Sequence, residues 1–126
     1  MTDDTSPEVA VIDDDAAVLD SFRFMLEIAG FRVATFHSAI AYLAGGDVTP
    51  GCLILDQNMP DMTGLELIGR LRAAGSEIPI MLITSAPSPA LVARAAQIGA
   101  AYVLEKPPTE EELIAFVRGI AGLARQ

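Results

Sequence analysis

The feature that most constrains this chain is a set of short apolar runs, each followed by a stretch with helical periodicity. Val9-Ala10-Val11-Ile12, Cys52-Leu53-Ile54-Leu55, Ile80-Met81-Leu82-Ile83 and Tyr102-Val103-Leu104 are the clearest. Uninterrupted apolar runs of this length, separated by helix-forming segments, are the pattern of strands buried on both faces of a parallel sheet. Each run also leads to a polar group: Asp13 and Asp14 after the first, Asp56 after the second, Thr84 after the third, and Lys106 just beyond the fourth. In an open parallel α/β sheet, ligands bind in the crevice beyond the carboxyl ends of the strands. Carboxylates, a hydroxyl and an ammonium are therefore gathered in one place.

Five strand-plus-helix units can be read along the chain. The first strand spans about 8–12, and its helix begins near Asp15, with Val18, Phe22, Met25, Leu26 and Ala29 on one face and Gly30 as the stop. A second strand at about 32–36 leads to Ser38, an N-cap for a short helix that ends before Gly45-Gly46. After Asp56, residues 57–62 form a loop, and Thr63-Gly64-Leu65-Glu66 is a capping-box start for a helix running to Gly75. Pro79 leads into the fourth strand, Ser88-Pro89 opens the next helix, and Gly99 closes it. A fifth strand at about 101–104 precedes a second capping box, Thr109-Glu110-Glu111-Glu112, whose helix turns Leu113, Phe116, Val117 and Ile120 to the core. This alternation predicts an α/β fold, a doubly wound parallel sheet with helices on both faces.

Composition narrows the class of protein. A chain of 126 residues that is 52% apolar has the length and the apolar content of one domain with one core. The expected division is a polar tail over residues 1–7 and a single domain over 8–126. The formal charge of −9 argues against direct nucleic-acid binding, which needs a Lys/Arg surface. No run approaches the ~20 apolar residues of a membrane span, and the acidic N-terminus is unlike a secretory signal. With one cysteine, Cys52, read as a small buried hydrophobe, the expected compartment is the cytoplasm. His37, the only histidine, reads as a surface residue.

The acids carry the chemistry. Asp13 and Asp14 beside Asp56 repel one another unless a cation lies between them, and oxygen donors suit Mg²⁺. Asp15 reads as the cap of the first helix. A carboxylate such as Asp56 can attack phosphorus to give an acyl phosphate, and a hydroxyl and an ammonium, such as those of Thr84 and Lys106, can donate to phosphoryl oxygens.

Asp13-Asp14-Asp15, then Asp56-Gln57-Asn58-Met59-Pro60-Asp61-Met62-Thr63-Gly64, then Thr84 and Lys106-Pro107 resemble the motifs of a two-component response-regulator receiver domain, in order and over about residues 9–123. The resemblance implies a flavodoxin-like (βα)5 sheet of order 2-1-3-4-5. It implies that Asp56 takes a phosphoryl group from the phosphohistidine of a sensor histidine kinase or histidine phosphotransfer protein. It also implies Mg²⁺ as cofactor, ligated directly by Asp14, Asp56 and the Asn58 carbonyl, with Asp13 assisting; which of the neighbouring acids touch the ion stays open. Lys106 is the expected partner of Asp56, and its bond to Pro107 is expected to be cis. Such a domain is a signalling switch acting on itself, not an enzyme on a metabolite. Its output surface would be the fourth helix, fifth strand and fifth helix, where a second copy is a candidate partner. Tyr102 is either the aromatic that follows Thr84 in the switch or a half-buried strand tyrosine. Pro108 after Pro107, and the prolines at 87 and 89, depart from the commoner pattern.

The main alternative is a Mg²⁺-dependent phosphatase or phosphotransferase of haloacid-dehalogenase type. Those enzymes carry a second aspartate two residues after the nucleophile, often followed by Thr or Val, where Asp56 is followed by Asn58, and Asp13 by Asp15 and then Ala16-Ala17.

Overall fold

The computed structural model describes residues 7–45, 49–100 and 102–124. The elements are β1 (Val9–Ile12), α1 (Ala16–Ile28), β2 (Val33–Phe36), α2 (Ala39–Ala44), β3 (Cys52–Asp56), α3 (Gly64–Ala73), β4 (Ile80–Thr84), α4 (Pro89–Gln97), β5 (Tyr102–Glu105) and α5 (Glu110–Ala124). The sheet is parallel throughout, in the order β2-β1-β3-β4-β5. Every residue of the three central strands is buried, whereas the edge strands β2 and β5 are partly exposed. The continuous hydrophobicity of the central runs follows from that position, since helices cover both faces.

Alternate strand residues feed two apolar layers. One holds Val9, Val11, Ile54, Met81 and Ile83 against Leu19, Phe22 and Leu26 of α1 and Leu113, Phe116 and Val117 of α5. The other holds Ala10, Ile12, Leu53, Leu55, Ile80 and Leu82 against Ala39, Leu67, Ile68 and Ala95. In α1 the buried positions include Leu19, while Val18 and Met25 only flank the core.

The helix starts are where the capping residues place them. Asp15 accepts from Ala17, Ser38 from Ala41 and Ser88 from Leu91. Thr63 and Glu66 bond reciprocally, and so do Thr109 and Glu112. Boundaries shift slightly: β1 and β2 each begin one residue later than the sequence suggests, and β5 continues to Glu105. Residues 1–6, Gly46 and Ala101 lie outside the described residues.

One glycine decides how α3 meets the sheet. A Cβ on Gly64 would lie 2.5 Å from Leu82 Cδ1, 2.9 Å from the Asp56 carbonyl oxygen and 3.1 Å from Gln57 Cα. Only glycine lets the helix start come this close to the end of β3. Gly69, in the middle of the same helix, has open space where a Cβ would sit, with nothing within 4 Å. Gly64→Ala is therefore expected to destabilise by about 1–3 kcal/mol through overpacking. Gly69→Ala is expected to stabilise by about 0.5–1 kcal/mol through backbone entropy. Urea denaturation of both variants checks the contrast, and equal effects would contradict it.

Candidate functional site

The strand ends are level because the sheet bonding runs to their last residues. Asp13 N–H donates to the Phe36 carbonyl at 3.1 Å, and Gln57 N–H to the Ile83 carbonyl at 2.8 Å. Lys106 N–H donates to the Thr84 carbonyl at 2.8 Å. Asp13, Asp56, Thr84 and Lys106 are thus fixed by backbone hydrogen bonding before any side chain interacts.

Asp13, Asp14 and Asp56 each present a carboxylate oxygen within 4.8 Å of the others. Asp13 and Asp56 are only 3% and 5% exposed, whereas Asp14 faces solvent. Lys106 Nζ lies 2.9 Å from Asp13 Oδ2 and 3.7 Å from Asp56 Oδ1. The ammonium therefore bridges both buried acids, and its shorter bond is to Asp13 rather than to the expected partner, Asp56. The other Asp13 oxygen accepts the Asp15 N–H at 2.9 Å, which orients that carboxylate. The Lys106-Pro107 bond is cis, as expected.

Burial and then the Asp13 charge push the Asp56 carboxyl up to about 6, with Asp14 adding to the rise. Lys106 and a hydrogen bond from the Asn58 backbone N–H work against that rise. Lys106 itself is raised: partial burial disfavours its charge, but the bond and charge of Asp13, with Asp56 and Asp15, outweigh the loss. Cys52 has no part here, since burial pushes its thiol up to about 12 and its Sγ contacts the Glu8 carbonyl. His37 is exposed.

Thr84 is buried, and its Oγ1 accepts the Ala86 N–H at 3.2 Å, which leaves the hydroxyl proton available to another oxygen. Tyr102 requires a correction. In register, Met81 pairs with Tyr102, Leu82 with Val103 and Thr84 with Glu105. Tyr102 therefore lies on the α5 face, its ring edge-on to Phe116 at 5.6 Å. Thr84 shares the face of Leu82 and Val103, and Val103 packs into the opposite layer. Movement of Thr84 opens no space for Tyr102, because the sheet lies between them. A shift of one residue along a strand changes the face.

Three residues of the loop after β3, to which the sequence assigned no role, complete the surroundings. Gln57 uses its carbonyl to accept Gly64 N–H at 3.0 Å and its side-chain Oε1 to accept Leu65 N–H at 2.8 Å. Asp61 Oδ2 accepts Ile40 N–H at 3.0 Å, tying the loop after β3 to α2. Met59, between them, is buried. A polar residue directly after a buried strand was the available signal for Gln57.

Comparison with known proteins agrees with this geometry. The family model "Response regulator receiver domain" matches residues 9–118, and the chain belongs to that family. It is a receiver domain of the two-component response regulators. The transcriptional regulatory protein FixJ of Bradyrhizobium diazoefficiens is 39% identical over 90% of this chain and 56% of its own length. The response regulator protein TmoT of Ectopseudomonas mendocina is 36% identical over 98% of this chain and 56% of its own length. The chain thus spans about half the length of the curated relatives it matches. Among solved structures, FixJ-N superposes with a TM-score of 0.79 at 34% identity, covering 97% of this chain and 96% of that one. Chemotaxis protein CheY4 of Vibrio cholerae gives 0.83 at 27% identity, covering 92% and 99%. The haloacid-dehalogenase alternative finds no support in these matches.

The acidic cluster is compatible with a metal site. All its donors are carboxylate oxygens, the set a hard cation such as Mg²⁺ takes, and exposed Asp14 leaves it open to solvent.

An acid whose pKa is higher folded than unfolded holds its proton more tightly when folded, so stability falls as pH rises from about 4 through about 6. In chelator-treated protein, Asp56→Asn is expected to be more stable than wild type at pH 7.5, by about 1–3 kcal/mol. The difference should fade as pH falls toward 4. Chemical denaturation at both pH values checks this, and a variant no more stable at pH 7.5 would contradict it.

Proposed function

We propose that this domain accepts a phosphoryl group on Asp56 from the phosphohistidine of a sensor histidine kinase or histidine phosphotransfer protein, in a Mg²⁺-dependent reaction. The observation that carries the reading is the pair of buried acids, Asp13 and Asp56, bridged by Lys106 at 2.9 and 3.7 Å. In the reaction an Asp56 carboxylate oxygen forms the new O–P bond as the N–P bond of phosphohistidine breaks. The electron pair of that bond leaves with the imidazole, which takes up a proton. Asp14, Asp56 and the Asn58 carbonyl would hold the Mg²⁺, with Asp13 assisting, and the bound ion would supply charge neutralisation for the transferring group. The Lys106 ammonium and the Thr84 hydroxyl donate to phosphoryl oxygens, where charge spreads during transfer. The domain is thereby a switch that catalyses its own phosphorylation and dephosphorylation.

A docking face for a protein partner is supported by α1. Ala17, Ser21, Phe24 and Ile28 form an exposed stripe at helical spacing, with Phe24 and Ile28 65% and 69% exposed. The output surface is α4, β5 and α5, where Val92 and Tyr102 are exposed and Tyr102, Leu104, Ala115 and Phe116 border a cavity of about 190 Å³. A second copy of the domain could dock there. No helix among the described residues is long and apolar enough to cross a membrane, in keeping with a cytoplasmic exchange between protein partners.

Incubation with acetyl phosphate and Mg²⁺ is expected to add one hydroxylamine-labile phosphoryl group per chain, and Asp56→Asn to add none. Unchanged labelling of the variant would overturn the assignment. Mg²⁺ alone should raise the Tm by stabilising the folded state. Asp14→Ala should lose most of that rise, and a full rise would move the ligand role to another acid.

A further inference from the structure

Gln57, the residue after Asp56, makes a set of bonds that neither its polarity nor the proposed reaction requires. Its N–H donates to Ile83 at the end of β4, at 2.8 Å. Its carbonyl takes Gly64 N–H at 3.0 Å, and its side-chain Oε1 takes Leu65 N–H at 2.8 Å. Helix starts leave their first N–H groups without helical partners. Gln57 satisfies two of them at α3, while the Thr63–Glu66 box satisfies Glu66 N–H and Thr63 N–H. An apolar side chain at position 57 would leave the Leu65 N–H without this acceptor.

The consequence reaches the next residue. The backbone N–H of Asn58 helps hold the Asp56 carboxyl down, and the Asn58 carbonyl, on the proposed function, is a metal donor. Rotation of the peptides on either side of Asn58 controls both groups. On the upstream side the Gln57 carbonyl, in the peptide it shares with Asn58 N–H, is held by Gly64 N–H, and the side-chain bond to Leu65 N–H fixes residue 57 itself against the start of α3. On the downstream side it is restrained by buried Met59 and by Asp61, bonded to Ile40 at 3.0 Å.

We propose that Gln57 is a positioning residue: its side-chain carbonyl, anchored on Leu65 N–H, sets the orientation of Asn58 toward Asp56 and the cation. The inference rests on the metal reading above. Groups that orient metal ligands affect affinity without touching the ion.

The test uses the whole chain and Mg²⁺ as probe, with calorimetric titration and amide exchange. Gln57→Met keeps the length and removes the acceptor. It is expected to weaken Mg²⁺ binding about tenfold and to speed exchange of Leu65 N–H in metal-free protein. Gln57→Asn, which keeps the amide but shortens its reach, should show the same weakening and guards against a poorly folded Met variant. Gln57→Glu keeps the acceptor and should restore affinity to within about twofold at high salt, where its added charge is screened. Wild-type affinity in both the Met and Asn variants would overturn the inference, as would a lowered Tm with no change in Mg²⁺ affinity. Failure of the wild-type protein to bind Mg²⁺ would overturn the metal reading itself and the inference with it.

Discussion

Mutual repulsion of carboxylates at the strand ends is the constraint on which the rest of the site depends. Two unit charges 4.8 Å apart, the outer limit for these oxygens, repel by about 3–4 kcal/mol at an effective dielectric constant near 20. A domain of this size has only about 5–15 kcal/mol of net stability. Two of the acids are also almost fully buried, which adds desolvation to repulsion. The protein answers with one ammonium and a few N–H groups: Lys106 between Asp13 and Asp56, Asp15 N–H on Asp13, and Asn58 N–H on Asp56. These offset burial and repulsion only in part, since Asp56 still stands at about 6. The remainder is what a bound cation would offset.

The sheet keeps the acids from moving apart. β1 and β3 are central, fully buried and bonded along their length, so Asp13 and Asp56 cannot separate without breaking the core. Gly64 brings α3 against the end of β3, and Gln57 fastens the junction. The rigid frame also explains why the functional groups come from strand ends and short loops. Helices supply the two covering layers, and outside the core they present surfaces such as the Phe24–Ile28 stripe.

Much of this could be read from residues alone. Continuous apolar runs marked the central strands, since only a strand covered on both faces tolerates them. Capping chemistry marked the helix starts at Asp15, Ser38, Thr63, Ser88 and Thr109, because those bonds are local. The strand-end rule brought Asp13, Asp14 and Asp56 together, and the structure gathers them. What escaped depends on three-dimensional register. Tyr102 and Val103 are adjacent in sequence but lie on opposite faces, and no composition argument fixes which is which in a short, half-exposed edge strand. The closer pairing of Lys106 with Asp13 depends on side-chain geometry between residues 93 positions apart. Gln57 acts through backbone groups of a helix that begins beyond a loop, a contact with no sequence spacing of its own.

On the proposed function, the acidic cluster binds a divalent cation beside Asp56, the proposed phosphoryl acceptor. Crystals soaked in Mn²⁺, whose anomalous scattering locates the ion, test it most directly. The expected result is a single ion bonded by Asp14, Asp56 and the Asn58 carbonyl, with Asp13 within reach of an ion-bound water. An ion bound elsewhere, or one at this cluster that leaves Asp56 uncoordinated, would contradict the claim.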